Sequence, residues 1–93
     1  MATLYYVRGR DVYCLKNGEE KEGEALKSLV SLLEGVELAY FHFRKRGLLL
    51  VRGAEGWVAA FLSPEESPDE VRLKLLSSLD RIEKEVKEKW QLL

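Results

Sequence analysis

The sequence predicts an α+β fold in one domain, residues 1–93, with elements in the order ββαβββα and helices on both faces of a five-stranded antiparallel sheet. Three observations predict it. Five short runs rich in β-branched and aromatic residues are separated by turn residues. Two other stretches repeat apolar residues at helical spacing. Two of the five runs, residues 48–51 and 57–62, are apolar without alternation, which is typical of central strands covered on both faces.

The first two strands are predicted over residues 3–8 and 11–16, joined by Gly9 and Arg10 as a tight hairpin turn. Asn17 and Gly18 then interrupt the strand pattern. We expect these strands to lie side by side in the sheet.

The first helix follows an acidic stretch, residues 19–24, because acidic side chains favour a helix N-terminus. It is expected to be about fifteen residues long and to end at Gly35, which is suited to the position after a helix. Its apolar face repeats at i, i+3, i+4 and i+7. That face consists of Leu26, Leu29, Val30 and Leu33.

The third strand is predicted over residues 36–44, and residues 48–52 and 57–62 form the fourth and fifth. Strand alternation places successive side chains of the third strand on opposite faces. One face carries Ala39, Phe41 and Phe43, and the other carries Leu38, Tyr40, His42 and Arg44.

The second helix has the firmest predicted start. Ser67 is suited to the N-cap, Pro68 to the first helical position, and Glu70 to bonding back to the cap. Apolar residues then recur every three or four positions towards Trp90. Three i,i+4 acid–base pairs are expected to face outward: Asp80 with Lys84, Glu83 with Lys87, and Glu85 with Lys89.

Composition excludes several functional classes. The formal net charge is −1, so no overall field attracts nucleic acid or a membrane surface. Cys14 is the single cysteine and His42 the single histidine, too few ligands for structural zinc. We expect no cofactor and no membrane association, and a cytoplasmic location, because no basic segment precedes an apolar stretch at the start.

Catalysis is not expected. A general base or nucleophile needs partners within hydrogen-bonding distance, and neither a G-x-S-x-G sequence nor a phosphate-binding glycine motif occurs. His42 is predicted to be a packed or interfacial histidine, and Cys14 a small core residue. The sequence thus predicts a protein that is not an enzyme.

One segment offers an alternative function. Residues 40–46 place aromatic side chains next to a basic turn, a combination used to stack bases and bind phosphates. Against this, alternation puts Phe41 and Phe43 on the face opposite Tyr40 and His42, so the four rings cannot form one platform. A small nucleic-acid-binding domain remains the alternative, and the balanced net charge argues against it.

Three features of the chain resemble the roadblock/LC7 family of dynein light chain-like domains. They are the predicted order of elements, the run Gly-Trp-Val-Ala-Ala-Phe-Leu at residues 56–62 and the helix start Val-Arg-Leu-Lys-Leu-Leu at 71–76. The resemblance covers most of the chain and is strongest to bacterial gliding-motility roadblock proteins. Longin and profilin-like domains share much of this topology.

The resemblance implies a homodimeric scaffold that binds a small Ras-like GTPase or a related assembly partner. In the family the third strand pairs with its twin and the first helices pack alongside. The implied dimer interface here comprises Leu26, Leu29, Val30, Leu33, Leu38, Tyr40, Phe41, His42 and Phe43. Suggested partner contacts are Arg44, Lys45, Arg46 and Trp90.

One departure from the family leads to a further expectation. Family members usually begin with an additional helix on the sheet face that carries the C-terminal helix, whereas here the first strand is predicted at Thr3. We therefore expect that face to be incompletely covered. A partner helix, a second copy or the apolar tail, residues 90–93, would be candidates to cover it.

Overall fold

The computed structural model describes residues 3–90, with the side chain of Trp90 outside that description. It confirms an α+β fold with a five-stranded antiparallel sheet and two helices. In chain order the elements are β1 Thr3–Arg8, β2 Asp11–Lys16, α1 Glu20–Val30, β3 Leu38–His42, β4 Gly47–Arg52, β5 Trp57–Leu62 and α2 Pro68–Trp90.

The strands lie in the order β2-β1-β5-β4-β3, and every neighbouring pair is antiparallel. Strands β1, β5 and β4 are therefore central, which agrees with the almost continuous burial of β4 and β5. Strands β2 and β3 form the two edges. The connection between β1 and β2 is the predicted hairpin, in which Gly9 has a φ of +58°.

Strand β3 is shorter than predicted and occupies Leu38–His42. Residues 36 and 37 instead follow a turn containing Gly35, whose φ is +78°. At the other end, the N–H of Phe43 donates to the carbonyl of Arg46 at 2.8 Å and closes the turn into β4. The sequence predicted a longer strand because Val36 and Phe43, which lie just outside the observed strand, are also apolar.

Helix α1 ends earlier than the expected position before Gly35. Its last helical residue is Val30, and Ser31 is the C-cap. The chain then continues through tighter turns, in which the N–H of Leu33 donates to the carbonyl of Val30 at 3.0 Å. Leu33 still packs against the core, so its apolar character continued the helical pattern beyond the helix itself.

Helix α2 begins at Pro68 as predicted, and the N–H of Glu70 donates to Ser67 Oγ at 3.4 Å. Asp80 and Lys84 are exposed as expected. The prediction that Glu83 faces outward is wrong, because Glu83 is only 8% exposed and belongs to a buried network described below.

Two groups of buried side chains use alternate residues of the strands. Helix α2 packs with the first group, the α2-side core, which consists of Tyr6, Leu49, Val51, Val58, Ala60, Leu62, Val71, Leu75, Ile82 and Val86. Helix α1 packs with the second group, the α1-side core, which consists of Tyr5, Val7, Leu26, Leu48, Leu50, Trp57 and Ala59. Neither helix between residues 3 and 90 is long and apolar enough to cross a membrane.

Candidate interaction surface at the β3 edge

Strand β3 has a free backbone edge, because it pairs only with β4. The N–H of Arg52 donates to the carbonyl of Glu37 at 2.9 Å, and the turn bond between Phe43 and Arg46 continues the same register. Antiparallel partners alternate between bonded and non-bonded pairs, so odd-numbered residues of β3 bond to β4 and even-numbered residues direct their N–H and C=O groups outward. The outward groups belong to Leu38, Tyr40 and His42.

The side chains of the same even-numbered residues are also accessible. Leu38 is 41% exposed and Tyr40 is 40% exposed, and His42 is exposed beside them. Their partners on β4 lie on the α2 side of the sheet. Phe41, on the opposite side, is half-buried against the α1-side core, whereas Phe43 lies just beyond the strand and is 46% exposed. The edge thus exposes apolar surface mainly on the α2 side.

Helix α2 contributes apolar surface next to this strand. Leu76 of this helix is 45% exposed. Leu76 and Leu38 line a depression of about 350 Å³ whose floor includes Val51. We call the surface formed by Leu38, Tyr40 and Leu76 the α2–β3 groove.

A basic turn lies at one end of the groove. A second depression, of about 370 Å³, is lined by Tyr40, His42, Arg44 and Lys45 and reaches Pro68 at the start of α2. The rings of Tyr40 and His42 meet edge to face, with their centroids 6.4 Å apart. Arg44 and Lys45 are exposed and form no ion pair within the described part of the chain. Two cations, Arg44 and Lys45, therefore lie in the same depression as one carboxylate, Glu66.

Arg46 differs from its two basic neighbours. Its guanidinium pairs with Glu22 of α1 and lies over the ring of Phe61, 4.0 Å from the centroid. Arg46 therefore holds α1 against the sheet, and we do not place it among the partner contacts suggested from the sequence. The groups left for contact in the turn are Arg44 and Lys45.

The Arg46–Glu22 pair is part of a network around Tyr5 on the α1 side. The hydroxyl of Tyr5 donates to Glu22 Oε1 at 2.6 Å and accepts the N–H of Glu19 at 2.6 Å, at the start of α1. Burial, together with the hydrogen bond to Glu22, raises the pKa of Tyr5 to about 12. Burial opposes ionisation of Glu22, but the bonds from Tyr5 and Arg46 outweigh it and lower the Glu22 pKa.

A corresponding network surrounds Tyr6 on the α2 side. The Tyr6 hydroxyl donates to Glu83 Oε2 at 2.6 Å. The same carboxylate accepts the N–H groups of Ala54 at 3.0 Å and Glu55 at 2.9 Å in the turn between β4 and β5. Burial raises the pKa of Tyr6 and opposes ionisation of Glu83, yet the three donors lower the Glu83 pKa. Helix α2 is thereby fixed to the β4–β5 turn, with Lys87 also pairing with Glu55 at 2.5 Å.

Both networks were missed from the sequence, although it contained a signal for them. Tyr5 and Tyr6 are consecutive residues of a central strand, so they point to opposite faces and both are buried. A buried tyrosine hydroxyl needs a hydrogen-bond partner. Each helix supplies one carboxylate for this purpose, Glu22 and Glu83 respectively.

The α1 residues expected at a dimer interface do not form one exposed surface. Leu26 is 1% exposed and lies in the α1-side core, so its assignment to an interface is wrong for the folded domain. Leu29, Val30 and Leu33 are half-buried against the same core. Their apolar periodicity reflects packing against the sheet. The expected contact of Trp90 and the tail that follows it lie outside the described side chains.

The remaining reactive side chains form no catalytic cluster. Among residues 3–90, no group of three or more His, Cys, Asp and Glu residues is placed to hold a metal ion. Cys14 is exposed on β2, where its sulfur accepts the N–H of Gly18 at 3.0 Å, so it is not the core residue that we predicted.

Comparisons with protein-family models, with curated proteins and with solved structures find no match for this chain. Its function is therefore argued from the geometry of the β3 edge and the α2–β3 groove.

Proposed function

We propose that this domain is a non-catalytic, homodimeric interaction module of roadblock-like architecture, ββαβββα with helices on both faces, that binds a small Ras-like GTPase or a related assembly partner in the cytoplasm. The supporting observation is the open edge of β3, which combines unpaired backbone groups with exposed Leu38 and Tyr40 and contains no proline. Such an edge is a template for pairing with another chain unless it is covered.

Self-pairing of β3 accounts for this edge with one symmetric interface. A two-fold axis at Tyr40 places it opposite the partner's Tyr40 and places Leu38 opposite the partner's His42. All three outward-facing residues then lie at bonded positions of the new ladder, which supplies about six backbone hydrogen bonds. The two sheets become one continuous sheet across the axis.

The side-chain chemistry supports a binding role. The carboxylates Glu22 and Glu83 already accept several hydrogen bonds, and their lowered pKa values make both of them weak bases. His42 shares its depression with the hydroxyl groups of Tyr40 and Ser63, but among the described residues no hydrogen bond joins its ring to either hydroxyl. Binding through an exposed edge and an apolar groove needs none of these groups.

The solution mass tests the dimer, and proline at position 40 is the sharpest perturbation. Tyr40→Pro removes an outward N–H while leaving the bonded positions of the β3–β4 ladder in place. We expect a dimeric wild type and a monomeric Tyr40→Pro, with Tyr40→Thr dimeric because it retains the N–H. Circular dichroism checks that each variant is folded. A monomeric wild type would refute the dimer.

The GTPase assignment has its own test. A purified small Ras-like GTPase, loaded with GDP or with a non-hydrolysable GTP analogue, is titrated into the dimer by calorimetry. We expect saturable binding in at least one nucleotide state. If the dimer binds neither form, the proposed dimer interface would stand and small Ras-like GTPases would be excluded as the partner.

Nucleic-acid binding is the second candidate, favoured by the exposure of Tyr40, His42, Arg44 and Lys45 on one depression. If it were correct, affinity for single-stranded RNA would fall steeply with salt and drop further in Lys45→Glu. The proposed protein-binding role predicts that RNA does not compete with the protein partner.

A further inference from the structure

The α2–β3 groove is an open apolar surface with a defined direction. Leu38 and Leu76 line one end of it, and Tyr40 lines the depression at the other end, beside the basic turn. Neither helix of the domain covers this part of the sheet, because α2 packs over β4 and β5. The surface lies on a side-chain face of β3, whereas pairing at the edge of that strand uses its backbone groups.

We propose that the α2–β3 groove binds an amphipathic helix of a partner protein, with acidic residues at the C-terminal end of that helix. The inference deepens the proposed partner-binding role but does not require dimerisation, since each protomer contains a complete groove. It specifies the partner by chemistry: a helix with an apolar stripe at i, i+4 and i+7 spacing and acidic side chains after it.

The length of the groove favours a short helix. Strand β3 from Leu38 to His42 covers four residue steps of extended chain, roughly 13 Å, and the basic turn lies beyond it. A helix of about fourteen residues, or nearly four turns, would span the strand and reach over the turn. Its apolar stripe would contact the leucines of the groove, and its last turn would reach the basic turn.

Charge determines the orientation. Arg44 and Lys45 are exposed without an ion pair in the described residues, and His42 lies beside them. Glu66 lines the same depression as a carboxylate whose Oε1 accepts the N–H of Ser63 at 3.0 Å, so the two cations Arg44 and Lys45 leave an excess of one positive charge there. The C-terminal end of a helix is its negative end and would face this turn. Since α2 begins at Pro68 beside the same turn, the bound helix would run antiparallel to α2, with opposed helix dipoles.

The test uses a synthetic, fluorescein-labelled peptide of about fourteen residues, with leucines at i, i+4 and i+7 and glutamates in its last turn. Fluorescence anisotropy measures its binding to the full chain. We expect saturable binding that Leu76→Glu weakens by about tenfold or more, because an apolar contact is replaced by a charge. Leu32→Glu is the matched control, since Leu32 is 79% exposed after α1 and lies outside the groove.

A charge exchange tests the orientation. Lys45→Glu should weaken binding of the acidic peptide several-fold, and a second peptide with lysines in its last turn should bind this variant better than it binds the wild type. Failure of this exchange would overturn the proposed orientation.

Three other results would overturn the proposal of a partner helix. They are no saturable binding by either peptide, equal weakening by Leu76→Glu and Leu32→Glu, and a change in the mass of the free protein on Leu76→Glu. The last result would show that the groove joins copies of this chain. Tyr40→Pro and Tyr40→Thr both lack the Tyr40 ring, so equal peptide affinity in the two variants, with only Tyr40→Pro monomeric, would separate this inference from the proposed dimer.

Discussion

Removing one hydroxyl from the α2-side network should cost a substantial part of the stability of so small a domain. Glu83 is 8% exposed, and its shortest hydrogen bond is the 2.6 Å bond from Tyr6. Tyr6→Phe deletes this donor and keeps the ring, so little cavity is created. Hydrogen bonds to charged groups contribute about 1.5 to 3 kcal/mol, and we expect a loss of about 2 kcal/mol in the free energy of unfolding.

A double-mutant cycle isolates that bond from other effects. Tyr6→Phe, Glu83→Met and the double variant are compared by urea unfolding, followed by circular dichroism and tryptophan fluorescence. Glu83→Met alone should be costly because it leaves the N–H groups of Ala54 and Glu55 without an acceptor. The coupling energy between positions 6 and 83 should reach about 1.5 kcal/mol. Tyr40→Phe is the matched control, on an exposed edge, and should change stability by less than about 0.5 kcal/mol.

The pH dependence gives an independent check with a definite sign. The Glu83 pKa is lower in the folded state than its ordinary value of 4.5, so the stability it contributes is present above pH 4.5 and is lost as pH falls through the folded pKa. The cost of Tyr6→Phe should therefore shrink in acid. A coupling energy below about 0.5 kcal/mol, or a cost of Tyr6→Phe no larger than that of Tyr40→Phe, would refute the assigned role of this bond.

Two further predictions concern the α1-side network and the start of α2. The pKa of Tyr5 is raised from 10.0 to about 12, so wild-type stability should decline as pH rises from 10 towards 12. Tyr5→Phe should weaken this decline, which urea unfolding measures across that pH range. If the free energy of unfolding depends on pH equally in the variant and the wild type, the prediction is contradicted. Ser67→Ala should lower the free energy of unfolding by about 0.5 to 1 kcal/mol, because the 3.4 Å bond to the N–H of Glu70 is long for an N-cap. Thermal unfolding measures this loss of stability, and Ser67→Asp is the control because aspartate retains a cap. Equal effects of Ser67→Ala and Ser67→Asp would show that the cap contributes nothing.

Local patterns predicted the elements that depend on local chemistry. The serine, proline and acidic residues before α2 specify a helix start through contacts within four residues, and α2 begins at Pro68 as expected. The unbroken apolar run of β5 likewise predicted a central strand, because burial on both faces leaves no polar position. The position of β3 at the sheet edge, by contrast, was implied by the family resemblance, in which the third strand pairs with its twin, and the structure places β3 there.

The errors arose where a local pattern fitted two different environments. Glu83 and Lys87 have the spacing of an exposed ion pair, but Tyr6 lies 77 residues away in sequence and takes up the carboxylate. Arg46 belongs to a basic run that resembles a solvated turn, yet it pairs with Glu22 in α1. Leu26 lies on an apolar helix face that fits either a core or an interface, and packing against the sheet decided between them. Sequence spacing does not encode these long-range partners.

The two tyrosine networks and the β3 edge divide the molecule into regions with different roles. Tyr5 and Tyr6 fix α1 and α2 to the sheet through ionised carboxylates with several donors each. Strand β3 instead relies on a single neighbour and leaves one side-chain face and one backbone edge uncovered. An apolar edge lowers solubility and invites association, whereas the stability of the domain comes from contacts elsewhere. The open edge therefore contributes little to folding, and its exposed side chains are the basis on which we propose binding to another chain.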